Sequence, residues 1–382
     1  MKRIKLLPII IITAFLFTGA VQSANDNPQQ KTRTYSVNQN GKLIVNVNPG
    51  TIKINTSSKD EVIVTVKNLD EDLLKSVEIK ADKNVVEVKY EEGMDEPEFY
   101  ITVPVKFNLD LKTAAGDIIV QDKIEGNVDA TTSGGDVSVH EVKGDLSVES
   151  NGGDISLHGN VSGNLKVNTM GGDIEVAEVN GKNAKINTMG GEITVNKAAN
   201  GISVKTYGGD ITVGDLGGDS DLITYGGNIS LDKASGNIKM ETYGGNLSLT
   251  QATGKIKGKT NGGNIDFQNI TGSVDVRTLA GEVSVGLNPA SGSESIATTN
   301  AGSVELKIPS TAKTTIVAKI HVQGWWKAAK DNFKIQSDFE NTTYNLDEDN
   351  HDIISVYQLN GGGSKITLKA VNDEIRIINA SK

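Results

Sequence analysis

Gly172-Asp173-Ile174-Glu175-Val176 returns as Gly191-Glu192-Ile193-Thr194-Val195 and again as Gly209-Asp210-Ile211-Thr212-Val213. The series begins upstream with Gly116-Asp117-Ile118-Ile119-Val120, Gly135-Asp136-Val137-Ser138-Val139 and Gly153-Asp154-Ile155-Ser156-Leu157. Downstream, Gly227, Gly245, Gly263 and Gly281 open further copies, and Gly302-Ser303-Val304-Glu305-Leu306 is the last clear one. Every interval from Gly116 to Gly281 is 18 or 19 residues; the final one is 21, which places a corner insertion at Asn288–Ser293. Self-similarity at a short fixed period is the signature of a repeat architecture whose units fold only by stacking.

A weaker half-repeat lies midway in each period: Gly126-Asn127-Val128, Gly144-Asp145-Leu146, Gly163-Asn164-Leu165, Gly236-Asn237-Ile238 and Gly272-Ser273-Val274. One coil therefore holds two short strands with a corner at either end. Gly beside Asp or Asn supplies the backbone freedom and the side-chain turn bonds that sharp corners need. The strands alternate with period two. Ile211 and Val213 point one way, Asp210 and Thr212 the other; Ile202, Val204 and Thr206 form an inward set. The same rule aligns Thr132, Thr169, Thr188, Thr224, Thr242, Thr260 and Thr278 in one inward column. Buried hydroxyls there need backbone partners near the turn. The fold class expected is all-β: a single-chain parallel β-solenoid with two short strands per coil. Ten steps from Gly116 to Gly302 predict a rod segment on the order of 50 Å long.

Organisation along the chain follows from where the repeat stops. Lys2, Arg3 and Lys5, the apolar run Leu6–Phe17 and the small residues around Ser23 read as a cleaved signal peptide over 1–23. Residues 24–33 are polar and read as a flexible lead. Residues 34–111 alternate without the Gly-Gly signature and read as irregular coils capping one end, with a helical turn at Asp70–Lys75. Residues 112–310 are the regular solenoid. Residues 311–382 hold both tryptophans, Trp325 and Trp326, and read as a hydrophobic plug and closing coils, since a bare terminal coil would offer strand edges for aggregation.

Composition excludes several classes. The 382 residues include 42 Gly but only 7 Pro and no G-X-Y period, which excludes collagen. The formal charge is −10 and no basic surface stands out, which argues against nucleic acid as a partner. There is no Cys, so neither a disulfide framework nor a lipid-anchor cysteine exists. No apolar run beyond the leader is long enough to span a membrane. The chain is expected to be exported, to periplasm, outer surface or medium.

The Gly-Gly-Asp-Ile-x-Val ladder, its half-coils, the early Gly50-Thr51-Ile52-Lys53-Ile54 and the closing Leu359-Asn360-Gly361-Gly362-Gly363 resemble bacterial adhesin-like domains of unknown function and the related head GIN domains. The resemblance covers about residues 35–380. It implies one exported β-solenoid and brings no catalytic residues.

Four features carry candidate chemistry. Asp117, Asp136, Asp154, Asp173, Glu192 and Asp210 recur at one position, where Asn228, Asn246 and Asn264 then replace them. Stacked carboxylates suit Ca²⁺, but the free exchange of Asp for Asn favours turn capping. Ser138, Ser156, Thr194, Thr212, Ser230, Ser248 and Ser284 form an outward row broken by Glu175 and Asp266. It reads as a solvated face, or one able to meet polysaccharide. Met170, Met189, Tyr207, Tyr225 and Tyr243 precede Gly-Gly in five successive coils. The three tyrosines are the candidate ligand-binding residues, as a strip of stacked rings with polar tips; a corner-shielding stack is the plainer reading. His140 and His158 are stacked neighbours without further ligands, so no metal site is expected. Nothing calls for a cofactor.

The function expected is non-catalytic: an extended polar surface presented to a glycan or a cell-envelope protein. The alternatives are a polysaccharide-active β-helix enzyme and a purely structural envelope component. Against the enzyme, nearly all ladder carboxylates belong to repeated turns, whereas glycosidase chemistry needs a distinct pair.

Overall fold

A computed structural model describes residues 21–27, 30–91, 93, 95–324 and 330–381. The expected signal peptide falls almost wholly outside the described residues, and so do Trp325 and Trp326. The chain forms a β-solenoid of mostly parallel strands.

The repeat winds as expected. On one face Ile118–Val120 pairs in parallel with Val137–Val139, which pairs with Ile155, and so on coil by coil to Val304. On the other face Val128–Thr132 pairs with Leu146, then Leu165, Ala184 and Ile202. Side chains at alternate positions enter a continuous interior of Val, Ile and Leu. A third contact joins each coil to the next. Val142, Val161, Val179, Ala198, Leu216, Ala234, Ala252, Ile270 and Leu287 form one more buried, paired column at the corner between the faces. Within the core, volume is traded between coils. A Cβ on Gly258 would lie 2.7 Å from Phe267, so that glycine makes room for a buried aromatic ring.

Two devices hold the Gly-Gly corner. The second glycine of each pair lies so close to the coil before it that a Cβ would stand about 2 Å from a carbonyl oxygen: 2.1 Å for Gly135 against Gly116 and for Gly227 against Gly209. The inward threonine then bridges the same two coils. Thr224 Oγ1 donates to the Gly209 carbonyl at 2.9 Å and accepts from Gly227 N–H at 3.3 Å. Thr132, Thr169, Thr188, Thr206, Thr242 and Thr260 repeat this double bond. Ser150 makes it too, so the hydroxyl rather than the methyl is what the position requires.

Both ends are capped by strands stacked out of chain order. At the N-terminal end the strands are β1 (Val21–Asn27), β2 (Gln30–Ser36), β3 (Gly41–Val47), β4 (Thr51–Ser57) and β5 (Glu61–Lys67). The helical turn α1 (Glu71–Ser76) follows, then β6 (Glu78–Asp82), β7 (Val85–Tyr90), β8 (Glu98–Pro104) and β9 (Phe107–Thr113). The pair β3–β4 lies inside, between β7–β8 and the regular coils, all in parallel. Antiparallel β5, β2 and β6 close the end. The segment 24–33, read as a flexible lead, is paired: Gln30 opposes Lys67 and Arg33 opposes Val64. Its alternation was hidden by polar side chains on a strand half-exposed at the tip. Leu69, Leu74 and Tyr35 plug the interior, and burial raises the Tyr35 pKa.

The other end mirrors this. After Val304–Ile308 come Thr314–His321, Ile335–Ser337, Thr343–Asp347, Asp352–Leu359, Ser364–Val371 and Ile375–Asn379. The late strand Ser364–Val371 inserts between Glu294–Thr299 and Thr314–His321, parallel to both. Antiparallel Asp352–Leu359 and Thr343–Asp347 lie outside it. The chain turns back through Asn360, Gly361 and Gly362, all at positive φ, which explains the closing Asn-Gly-Gly-Gly. Phe333 and Phe339 pack against the core from outside.

Two substitutions separate the corner devices. Gly135→Ala should destabilise sharply, while Gly134→Ala, whose Cβ would meet nothing within 4 Å, should leave the urea midpoint almost unchanged. Thr224→Val should cost about 1–3 kcal/mol by stranding a buried carbonyl and N–H, and Thr224→Ser should cost much less; equal midpoints for the two variants would refute the bridge.

Candidate functional site

The residue after each inward threonine lies at the corner and points outward. Its backbone is held by the next coil: Gly190 N–H donates to Met170 O at 3.1 Å, Gly226 to Tyr207 O at 3.1 Å and Gly262 to Tyr243 O at 3.0 Å. Regular coil spacing therefore becomes regular side-chain spacing. Tyr207 and Tyr225 stack with ring centroids 4.9 Å apart and planes 3° from parallel; Tyr225 and Tyr243 are 5.1 Å apart at 4°. The three predicted residues are thus brought together, and all are exposed. Met170 and Met189 continue the column on one side. Leu279 resumes it on the other after Asn261. Of the nine large hydrophobic side chains exposed among the described residues, six stand in this one column, so it is a patch and not scatter. Leu279 was missed in the sequence because Ala280-Gly281 follows it instead of Gly-Gly.

Stacking decides what the tyrosines can offer. Each ring face is turned to its neighbour, so edges and hydroxyl groups are what meet solvent. The rings stack with polar tips as the sequence suggests, and the middle of the column presents no open ring face. Lys205 Nζ sits 4.6 Å from the Tyr207 centroid and 5.5 Å from that of Tyr225, within cation–π range, and bonds Tyr207 Oη at 3.2 Å. That hydrogen bond raises the Lys205 pKa.

The acidic column caps backbone, but between coils instead of within a turn. Asp117 Oδ1 accepts from Asp136 N–H at 2.9 Å, Asp136 from Asp154 at 2.8 Å, and Asp154 from Asp173 at 2.8 Å. Asn228 and Asn246 do the same through their amide oxygens, both at 2.8 Å. Asn127 and Asp145 repeat the device at the half-coil corner. One oxygen at this position and reach is enough, which is why Asp and Asn interchange. The Ser/Thr row is one aligned column, with Glu175 and Asp266 in it. Ser230 and Ser248 hydroxyls are 3.2 Å apart. His158 Nε2 lies 3.1 Å from Ser138 Oγ. Among the described residues no group of three or more His, Cys, Asp or Glu is placed to hold a metal ion.

One buried charge has no signature in the sequence. Asp352 is 2% exposed, ion-paired with Lys319 and 3.0 Å from His321 Nδ1. Its partners lie some thirty residues away and meet it only through antiparallel pairing of Thr314–His321 with Asp352–Leu359. The arrangement ties the cap together.

A family model described as Toastrack DUF4097 matches residues 20–216, and the chain belongs to that family. No curated protein matches. Among solved structures, a "putative adhesin" from Parabacteroides distasonis is 17% identical over 73% of this chain and 98% of its own, with a TM-score of 0.29. A "putative adhesin" from Bacteroides fragilis is 12% identical over 74% and 98%, TM-score 0.23. A "putative lipid binding protein" from Parabacteroides distasonis is 13% identical over 74% and 97%, TM-score 0.24. No helix among the described residues is long and apolar enough to cross a membrane.

If the acidic column is structural, Asp154→Asn should fold with unchanged stability, and millimolar Ca²⁺ should not shift the melting temperature of either protein relative to EDTA. A Ca²⁺-dependent rise in the parent that Asp154→Asn abolishes would assign the column to metal instead.

Proposed function

We propose that this chain is a non-catalytic, exported rod that presents one long corner surface for adhesion to a glycan or a cell-envelope protein. The observation that carries the reading is the exposed column Met170–Met189–Tyr207–Tyr225–Tyr243 with Leu279 beyond it. The corner beneath is already fixed by glycine and threonine, and stacking of the rings on one another still leaves their edges and hydroxyl groups in water. Contact is made by ring edges, hydroxyl groups and methionine side chains, a mixed apolar and polar surface of the kind interfaces favour. Asp117, Asp136, Asp154 and Asp173 each cap a backbone N–H of the next coil, which supports a binding role over catalysis. Residues 112–285 carry almost no inserted loop that could build a separate catalytic pair.

The test is a glycan array and whole-cell binding assay with the mature chain and a Tyr207→Ala/Tyr225→Ala/Tyr243→Ala variant. The exposed rings can be removed without disturbing the core, so the variant should fold normally and bind at least tenfold more weakly, about 1.4 kcal/mol. Turnover of any polysaccharide would establish the enzyme instead, and absence of binding to every glycan and cell surface would leave a structural envelope component. Export predicts that the mature chain recovered from cell fractions begins at Ala24.

A further inference from the structure

The half-coil face carries a second surface of different chemistry. A shallow groove of about 440 Å³ runs across five coils and is lined by Lys182, Lys185, Lys239, Lys255 and Lys257. Strand register sets their spacing. Lys185 is followed in its column by Ser203, Asp221, Lys239 and Lys257. Lys185 and Lys257 are four coil steps apart, on the order of 19 Å. Two carboxylates, Asp219 and Asp221, face the same groove. Asp219 is engaged by the next coil, accepting from Asn237 N–H at 2.8 Å and from Asn237 Nδ2 at 3.1 Å. Five ammonium groups less the two lining carboxylates and Glu241, which pairs with Lys239, leave the groove near +2, on a chain whose net charge is −10.

Several lysines elsewhere on the rod are ion-paired: Lys123 with Glu141 at 3.0 Å, Lys197 with Glu178 at 2.9 Å, Lys307 with Glu305 at 3.0 Å. In the groove only Lys239 is, by Glu241 at 3.0 Å. Among the described residues Lys182, Lys185, Lys255 and Lys257 make no ion pair. Five lysines gathered along one cleft, four of them without an ion pair, concentrate positive field there and draw an anion.

We infer that this groove binds an acidic polysaccharide, laid along the rod with its carboxylates on the lysines and its hydroxyl groups on Asn183, Ser203 and Asn237. An extended chain fits cations that repeat along an axis. The lining holds no aromatic ring on which a base could stack, and a dense polyphosphate would meet the acidic remainder of the rod. The surface is separate from the tyrosine column, and the inference stands without it.

The experiment is calorimetric titration of the mature chain with polygalacturonate, neutral dextran and duplex DNA, at low and at physiological salt. Polygalacturonate should bind, weaken as salt rises, and lose at least tenfold in affinity in K182Q/K185Q/K255Q/K257Q. Dextran should not bind there. A control variant, K123Q/K197Q/K307Q, removes paired lysines elsewhere and should stay within twofold of the parent. Failure of polygalacturonate to bind at low salt, equal losses in the two lysine variants, or DNA binding as tight as polygalacturonate would each overturn the inference. The tyrosine variant should titrate like the parent, so failure at the column and failure at the groove remain distinct results.

Discussion

Everything in this rod depends on how closely two backbones can approach at one corner. A side chain at Gly135, Gly172 or Gly227 would put a Cβ about 2 Å from the carbonyl oxygen of the coil beneath. Only glycine allows that approach, and the approach fixes the coil rise. The inward hydroxyl then satisfies the carbonyl and N–H that the tight corner buries. The Asp or Asn oxygen takes one further N–H across the coil boundary. Three small residue types thus settle the polar accounting of a buried corner, and Val, Ile and Leu need do no more than fill the space between.

A parallel stack built this way has two open ends, and its ends are its hazard. Both are managed by the same arrangement. A strand pair from near the terminus, β3–β4 at one end and Ser364–Val371 with Ile375–Asn379 at the other, is inserted one layer inward. Antiparallel strands are then laid outside it. The inserted strands are paired on both sides, so fraying at the tip does not release them. At the N-terminal end the outermost strands β1 and β6 run against the coils; at the other end Asp352–Leu359 is reversed, while the short outer strands Thr343–Asp347 and Ile335–Ser337 run with the coils.

How much of this could be read beforehand follows from whether a feature repeats. The coil, its two strands, the inward threonines and the aligned Ser/Thr row recur every eighteen residues and were visible as period. The third paired column was not, because a single apolar residue per coil, Val142 or Ala198, leaves no alternation to detect. Stacking order at the ends was invisible because local pattern says which residues form a strand and not which strand lies beside it. Gly258 beneath Phe267, and Asp352 beside His321, are non-local meetings of the same kind. The candidate tyrosines and their stacking were found from the period, but the contact of Lys205 with two of the rings was not, since it depends on rotamers that only the stack imposes.

The periodic positions are spent on folding, so specific function is carried by outward positions, where the fold is indifferent to identity. There the columns differ in how they vary. The position next to the Gly-Gly corner stays large and apolar through Met170, Met189 and three tyrosines although nothing beneath requires it. The middle column of the half-coil face changes from Asp129 and Ser147 to Lys166 and Lys185, passes through Ser203 and Asp221, and returns to Lys239 and Lys257. The first keeps large side chains that stack on one another yet stay exposed, and the second varies from coil to coil. Both fall in the middle coils, far from either cap, where the rod is most regular and a long ligand would find an uninterrupted surface.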